Sequence, residues 1–308
     1  MIALEVQDVT KRFPSMERPA LDKVSFQVEQ GKCLGIVGGS GCGKSTLARI
    51  AMMLEQPDSG HVLLFGDEIG GRDLKSSRDV YRTMQMIFQN PIDSFDPRRT
   101  LGFSLMEPGR SFGLSRAEAE RKARELLVAV GLDESFFERY PSQVSGGQCQ
   151  RAAIARALMT DPSVLICDEI TSALDVTTQA RIVELISRIK KKVTIVFITH
   201  DLALASIICD NLVVMEKGRI VECGAAHDVL ENPQSDYTKL LLSSVYTLNG
   251  SSLWPLILPR VPWGKAFFDL RFLFWARVLS SCFIQRWMFF SPATFWARRE
   301  WRRSVLRL

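Results

Sequence analysis

Histidine is scarce in this chain, with three residues in 308, and their scatter rules out a His-rich metal tract. Seven cysteines (Cys33, Cys42, Cys149, Cys167, Cys209, Cys223 and Cys282) form no C-x-x-C and no paired spacing. They read as reduced thiols packed as small hydrophobes in a cytosolic protein. The N-terminal Met1-Ile2-Ala3-Leu4-Glu5 lacks a basic region followed by an apolar core, so no signal peptide is expected. No internal repeat is visible and no heptad pattern runs along the chain. Residues 1–246 contain no tryptophan, and their 29 Lys/Arg against 32 Asp/Glu leave a mildly acidic body that offers no case for nucleic-acid binding.

The overall charge of +5 comes from the end of the chain. Residues 247–308 hold ten Lys/Arg against two Asp/Glu, and all six tryptophans. No uncharged run there reaches the roughly 20 residues of a membrane-spanning helix. Neither helical nor strand periodicity is sustained, so this extension of unknown fold reads as unselected sequence, such as read-through. An arginine- and aromatic-rich layer at a bilayer interface or against a partner is the alternative.

The body is organised around Gly38-Gly39-Ser40-Gly41-Cys42-Gly43-Lys44-Ser45-Thr46. Its spacing is G-x-x-x-x-G-K-S, preceded by the apolar Cys33–Val37 and followed by helical spacing at Leu47, Ile50, Ala51 and Leu54. Strand, loop and helix in that order make a phosphate-binding loop. Glycine there lets backbone amides approach phosphate, and the helix start adds its positive dipole end. Lys44 is expected on the β- and γ-phosphates of a nucleotide, and the Ser45 hydroxyl on Mg²⁺. The plain alternative is a glycine-rich turn that binds nothing.

Alternation over 2–9 and 20–30 predicts half-buried strands of an antiparallel flap ahead of the strand at 33–37. A strand at 61–65 follows the Pro57–Gly60 turn, then a polar connection to about Arg82 and a short strand at 84–88. From about 90 to 160 the pattern turns helical, with helices over 116–130 and 148–159. Strands at 163–167, 193–199 and 211–215 then alternate with helices at 176–190 and 201–209. A hairpin-like segment between Gly218 and Gly224 and a short helical end at 225–245 follow. The fold class is therefore α/β: a P-loop NTPase core with a parallel sheet, an N-terminal antiparallel flap and a helical insertion.

A second signal is Val164-Leu165-Ile166-Cys167-Asp168-Glu169, an apolar strand ending in two carboxylates. Such a strand places Asp168 beside the loop to hold Mg²⁺, and Glu169 where a general base polarises the attacking water. A third is Val144-Ser145-Gly146-Gly147-Gln148, heading an amphipathic helix 20 residues before Asp168. Here the sequence resembles the nucleotide-binding subunit of an ABC transporter, whose signature is L-S-G-G-Q.

That resemblance spans about residues 1–245 and implies an ATP- and Mg²⁺-dependent ATPase. In the family, ATP is sandwiched between the phosphate loop of one subunit and the signature helix of another. Ser145, Gly146, Gly147 and Gln148 would thus face the γ-phosphate held by a companion. By the same resemblance Phe13 stacks on adenine and Gln89 contacts Mg²⁺ and water. Ser172-Ala173-Leu174-Asp175 is the D-loop at the dimer interface, and His200 contacts the γ-phosphate. Val144 departs from the family's leucine and Ile170 from the proline that follows the glutamate, a change expected to loosen the turn into the D-loop.

Met86–Arg98 and Gln234–Leu241 are similar to segments of the peptide/nickel importer subfamily, although Ser235-Asp236 departs from its His-Pro. The resemblance implies the second of two unlike ATPases, lying peripherally on the cytoplasmic face of the inner membrane. It would work with two permease subunits and, indirectly, an extracytoplasmic binding protein. Cys167–Ser172 fits the branch that carries nickel or metal chelates, and peptide is the other cargo. Two readings compete with these: a soluble ABC-type ATPase acting on nucleic acid or ribosomes, and an importer ATPase for another small solute.

Overall fold

A computed structural model describes residues 1–69, 74–172 and 174–247, so the sequence's expectation for 247–308 lies, apart from Thr247, outside the described residues. The elements in chain order are β1 (Ile2–Lys11), β2 (Leu21–Glu29), β3 (Cys33–Val37), α1 (Lys44–Ala51), β4 (Ser59–Leu64), β5 (Asp67–Ile69) and α2 (Leu74–Thr83). Next come β6 (Met84–Ile87), α3 (Leu101–Ser111), α4 (Arg116–Ala129), α5 (Gly146–Leu158), β7 (Val164–Asp168), α6 (Val176–Ile189) and β8 (Thr194–Thr199). The chain continues with α7 (Leu202–Ile208), β9 (Asn211–Glu216), β10 (Arg219–Ala225), α8 (Ala226–Glu231) and α9 (Asp236–Thr247).

Two sheets form. One is antiparallel, in the order β2-β1-β4-β5, and the other runs β10-β9-β3-β8-β7-β6. In the second, β9, β3, β8, β7 and β6 are parallel, and only β10 turns back as a hairpin on β9. The apolar runs of β3, β7 and β8 are buried at every residue, as a sheet covered on both faces requires. Alternate side chains of β3 divide the core. Cys33 and Val37 pack with the helices α3 to α7, while Leu34 and Ile36 pack with α1 and the antiparallel flap.

Between β6 and β7 the chain contains helices and short 3₁₀ turns only, as the periodicity over 90–160 predicts. Three elements there and before it were not legible. The strand β5 is three residues long, and α2 carries too few apolar residues for a helical stripe. The helix α3 contains Gly102, Pro108 and Gly109, residues that punctuate a sequence rather than signal a helix. Tertiary contacts override them. A Cβ on Gly102 would lie 2.5 Å from the Phe137 ring, so glycine permits that packing. Pro108 deprives the Ser104 carbonyl of its helical donor, and Arg156 Nε of α5 donates to it instead at 3.2 Å.

Candidate functional site

The strand order places four chain segments side by side. Val37 of β3 pairs with Thr199 of β8, Ile198 of β8 with Asp168 of β7, and Cys167 of β7 with Ile87 of β6. The phosphate loop, His200, Asp168-Glu169 and Gln89 therefore all leave the same carboxyl edge of the sheet. Crevices outside that edge are where parallel α/β sheets take ligands.

Glu169 lies at the centre of this edge. Its carboxylate is 3.6 Å from Lys44 Nζ, accepts from Gln89 Nε2 at 3.1 Å and is 3.7 Å from His200 Nδ1. It sits in the left-handed region at φ +46, a conformation costing a non-glycine residue about 1 kcal/mol or more. Surrounding bonds hold it there. Its N–H donates to the Ile198 carbonyl at 2.9 Å, and its carbonyl accepts from Ser172 Oγ at 2.9 Å and Ser172 N at 3.1 Å. Gln179 Nε2 donates to the Thr171 carbonyl at 2.9 Å, and Ile170 is buried in the core. The turn expected to loosen without proline is thus tied at both ends.

Asp168 is buried and accepts from Ser45 Oγ at 3.2 Å. Burial pushes its carboxyl above its ordinary value; the Ser45 hydroxyl pulls against that, and Glu169 beside it adds to the push. Lys44, 4% exposed, donates to the carbonyls of Gly38 at 2.9 Å and Gly39 at 3.0 Å. Cys42 is buried next to it, and burial raises its thiol while the Lys44 ammonium works in the other direction.

The glycines of the loop divide by what surrounds them. A Cβ on Gly38 would lie 2.3 Å from the Met215 carbonyl and one on Gly43 2.4 Å from the Ala20 carbonyl, so these two serve close backbone packing. The Gly39 N–H donates to Tyr237 Oη of α9 at 2.9 Å. Gly41 is at φ +74, and a Cβ there would meet nothing within 4 Å, which fits the reading of open space for phosphate. Exposed Ser40 and half-buried Ser45 and Thr46 complete the loop and the first turn of α1.

Ser145, Gly146, Gly147 and Gln148 stand elsewhere, at the N-terminus of α5. Ser145 Oγ accepts from Gln148 N at 3.3 Å and Gln148 Oε1 accepts from Ser145 N at 2.9 Å. This is a reciprocal capping box, a plain structural use of S-x-x-Q that sequence reasoning missed although the spacing announces it. Ser145 and Gly146 are exposed, Val144 packs half-buried against the core, and a Cβ on Gly147 would lie 2.3 Å from Thr178 of α6. Among the described residues no hydrogen bond or ion pair joins this tip to the phosphate loop. Phe13 follows β1, with the Lys11 ammonium 5.3 Å from its ring centre.

Comparison with known proteins gives this arrangement a family. Residues 21–172 match the ABC transporter family model. The di/tripeptide transport ATP-binding protein DppF of Pseudomonas aeruginosa is 43% identical over 241 residues, covering 77% of this chain and 75% of that one. The chain therefore belongs to the ABC transporter family, as an ATP-binding and ATP-hydrolysing cassette. Within the family it groups with the peptide-importer ATPases. The oligopeptide transport ATP-binding protein OppF of Escherichia coli is 40% identical over 250 residues, covering 79% of this chain and 75% of its own. Among solved structures, a dimeric post-hydrolysis state of the cassette MJ0796 bound to ADP and Pi superposes with a TM-score of 0.67 at 28% identity, over 72% of this chain and 98% of that one. The cbiO1 protein of Clostridium perfringens, described as part of the transporter complex cbiONQ, gives 0.69 at 26% identity, over 81% and 99%.

Proposed function

We propose that this chain is one of two unlike ATPases of an importer for peptides, with Glu169 as the base that polarises the hydrolytic water. One observation carries the catalytic part: Lys44, Gln89 and His200 converge on the Glu169 carboxylate at the carboxyl edge of the sheet. A lysine held by two carbonyls is aimed rather than free, and it supplies fixed positive charge where phosphate charge develops. Gln89 orients the water against Glu169, and His200 meets the γ-phosphate from β8.

Ser45, Asp168 and Gln89 would hold Mg²⁺. The fit rests on the donors: the Ser45 hydroxyl and the buried Asp168 carboxylate lie 3.2 Å apart, and Gln89 adds a side-chain amide oxygen, an all-oxygen set suited to a hard cation. When bound, the ion neutralises charge on the β- and γ-phosphate oxygens. The exposed tip at Ser145–Gln148 would complete the site of a companion subunit, with the Gly146 and Gly147 amides and the α5 dipole offered to the γ-phosphate. Phe13 would take adenine by stacking.

Residues 1–246 form the ATPase domain in this reading, with about 90–160 as its helical subdomain and 247–308 as an extension. Among the described residues no helix is long and apolar enough to cross a membrane. Attachment to the cytoplasmic face would come through two permease subunits, which a binding protein outside the membrane would supply with cargo. The names of the relatives favour peptide over nickel or a metal chelate as that cargo. The test is purification from membranes, followed by ATP turnover of the assembled complex with binding protein and peptide or nickel. Two permeases and a second ATPase should co-purify, and peptide should stimulate turnover. Recovery as a free protein bound to nucleic acid or ribosomes would overturn the assignment.

A further inference from the structure

We propose that Tyr237 is a positioning residue for the phosphate loop, acting through one peptide plane on Lys44. The hydroxyl accepts from Gly39 N at 2.9 Å, and Lys44 Nζ donates to the Gly38 carbonyl, also at 2.9 Å. The Gly38 carbonyl and the Gly39 N–H belong to the same peptide bond. That unit is planar and trans, so its oxygen and its hydrogen point in opposite directions. Fixing the N–H therefore fixes the direction of the oxygen that holds the lysine. The peptide lies between two glycines, where a rotation of the plane meets the least steric resistance. The Met215 carbonyl packs against Gly38 on one side of the plane, and the Tyr237 hydroxyl is the partner that sets the direction of the Gly39 N–H on the other.

The tyrosine is itself anchored. Its ring packs against the core, and the Ser235 hydroxyl accepts from Tyr237 N at 3.2 Å. The carboxylate of Glu222 on β10 accepts from Gln234 N at 2.8 Å and Ser235 N at 3.0 Å, immediately ahead of α9. The chain of contacts runs Glu222, the start of α9, Tyr237, the 38–39 peptide, Lys44, Glu169. It connects a segment that sequence resemblance used only to place the subfamily with the lysine that meets phosphate.

This rests on the ATP-binding reading of the loop, and the test separates the two. In the full-length chain, assembled with its partners, Tyr237→Phe keeps the ring and removes the acceptor. Amide exchange at Gly39, which needs no nucleotide, should speed up by about tenfold. The KM for ATP should rise about three- to tenfold and kcat fall by a smaller factor, with the melting temperature unchanged, because a less well aimed lysine loses hold of the phosphates in the ground state and of the charge that develops on them. Glu222→Gln should raise KM in the parent but add less in the Tyr237→Phe background, since both act on one path. Unchanged Gly39 exchange, an unshifted KM, or fully additive effects would overturn the relay. Absence of ATP turnover in the parent complex would instead strike the ATPase reading and leave the exchange result standing.

Discussion

The phosphate loop at Gly38–Thr46 and the tip of α5 at Ser145–Gln148 are both glycine-rich stretches ahead of a helix, and they treat their polar groups differently. In the loop, Lys44 is buried and bound to two carbonyls, and two glycines are packed against neighbouring backbone. At the tip, among the described residues, the Ser145 hydroxyl and the Gln148 amide oxygen bond to each other's backbone, and Gly146 is exposed with open space around it. The loop is fixed by its own fold, whereas the tip is a capped helix end that leaves Ser145 and Gly146 exposed. In the proposed reading the loop holds its own nucleotide and the tip would serve that of a second cassette.

The largest expected effect tests the fixed half. Glu169→Gln preserves shape and the bond from Gln89 while removing a base, so turnover of the assembled ATPase should fall by about 10²- to 10⁴-fold with ATP binding retained. The variant should trap a closed pair of subunits, visible as an ATP-dependent dimer in sizing experiments. Undiminished turnover would refute the assignment of Glu169.

Matched glycine substitutions sharpen the contrast. Gly43→Ala drives a Cβ to within 2.4 Å of the Ala20 carbonyl at φ +105, so it should cost about 2–4 kcal/mol of folding stability. Gly146→Ala meets nothing and occupies a helical position, so it should be neutral or stabilising by up to about 1 kcal/mol. Chemical denaturation of the two variants reads the difference. Equal losses would erase the distinction between a packed loop and an open tip.

Much of the site was readable before the fold because an apolar strand that stops abruptly at a charged or polar residue marks a sheet edge. Val164–Cys167 before Asp168-Glu169 and Ile195–Thr199 before His200 are of this kind. Strand order was not readable, since neither spacing nor composition says that β8 lies between β3 and β7. That order alone brings His200 to Glu169. The contact of Tyr237 with Gly39, 198 positions apart, is equally a product of the tertiary arrangement. The helix α3 stayed hidden because the partners that excuse its glycines and proline, Phe137 and Arg156, come later in the chain.

The exposed half invites a substitution that divides folding from function. Ser145→Asp retains a good N-cap acceptor and suits the helix dipole, so stability should change by less than about 0.5 kcal/mol. The added carboxylate would face the γ-phosphate of a companion, and turnover should fall about tenfold or more through like-charge repulsion. Ser145→Ala makes the converse test, losing about 1 kcal/mol of cap with no repulsion. If Ser145→Asp left turnover intact, the tip would be a helix end and nothing further.

The smallest effect lies where the two halves come closest in sequence logic, at the first turn of α6. Asp175 caps that helix, and Thr178, whose methyl abuts Gly147 of the tip, donates its hydroxyl to Asp175 Oδ2 at 2.7 Å and its N–H to Oδ1 at 3.0 Å. The Thr177 and Thr178 hydroxyls hold the Asp175 carboxyl well below the ordinary carboxylate range. A carboxyl lowered on folding adds stability at pH above its unfolded value, and that contribution disappears as pH falls through the folded value. Asp175→Asn should therefore cost about 0.5 kcal/mol or less near neutrality, since the site is solvent-screened and asparagine still caps. Thermal melts of parent and variant should converge as pH falls through the acid range. A gap that widened in acid would mean the carboxylate is a burden on α6, and that the first turn supporting Gly147 is held by something other than this cap.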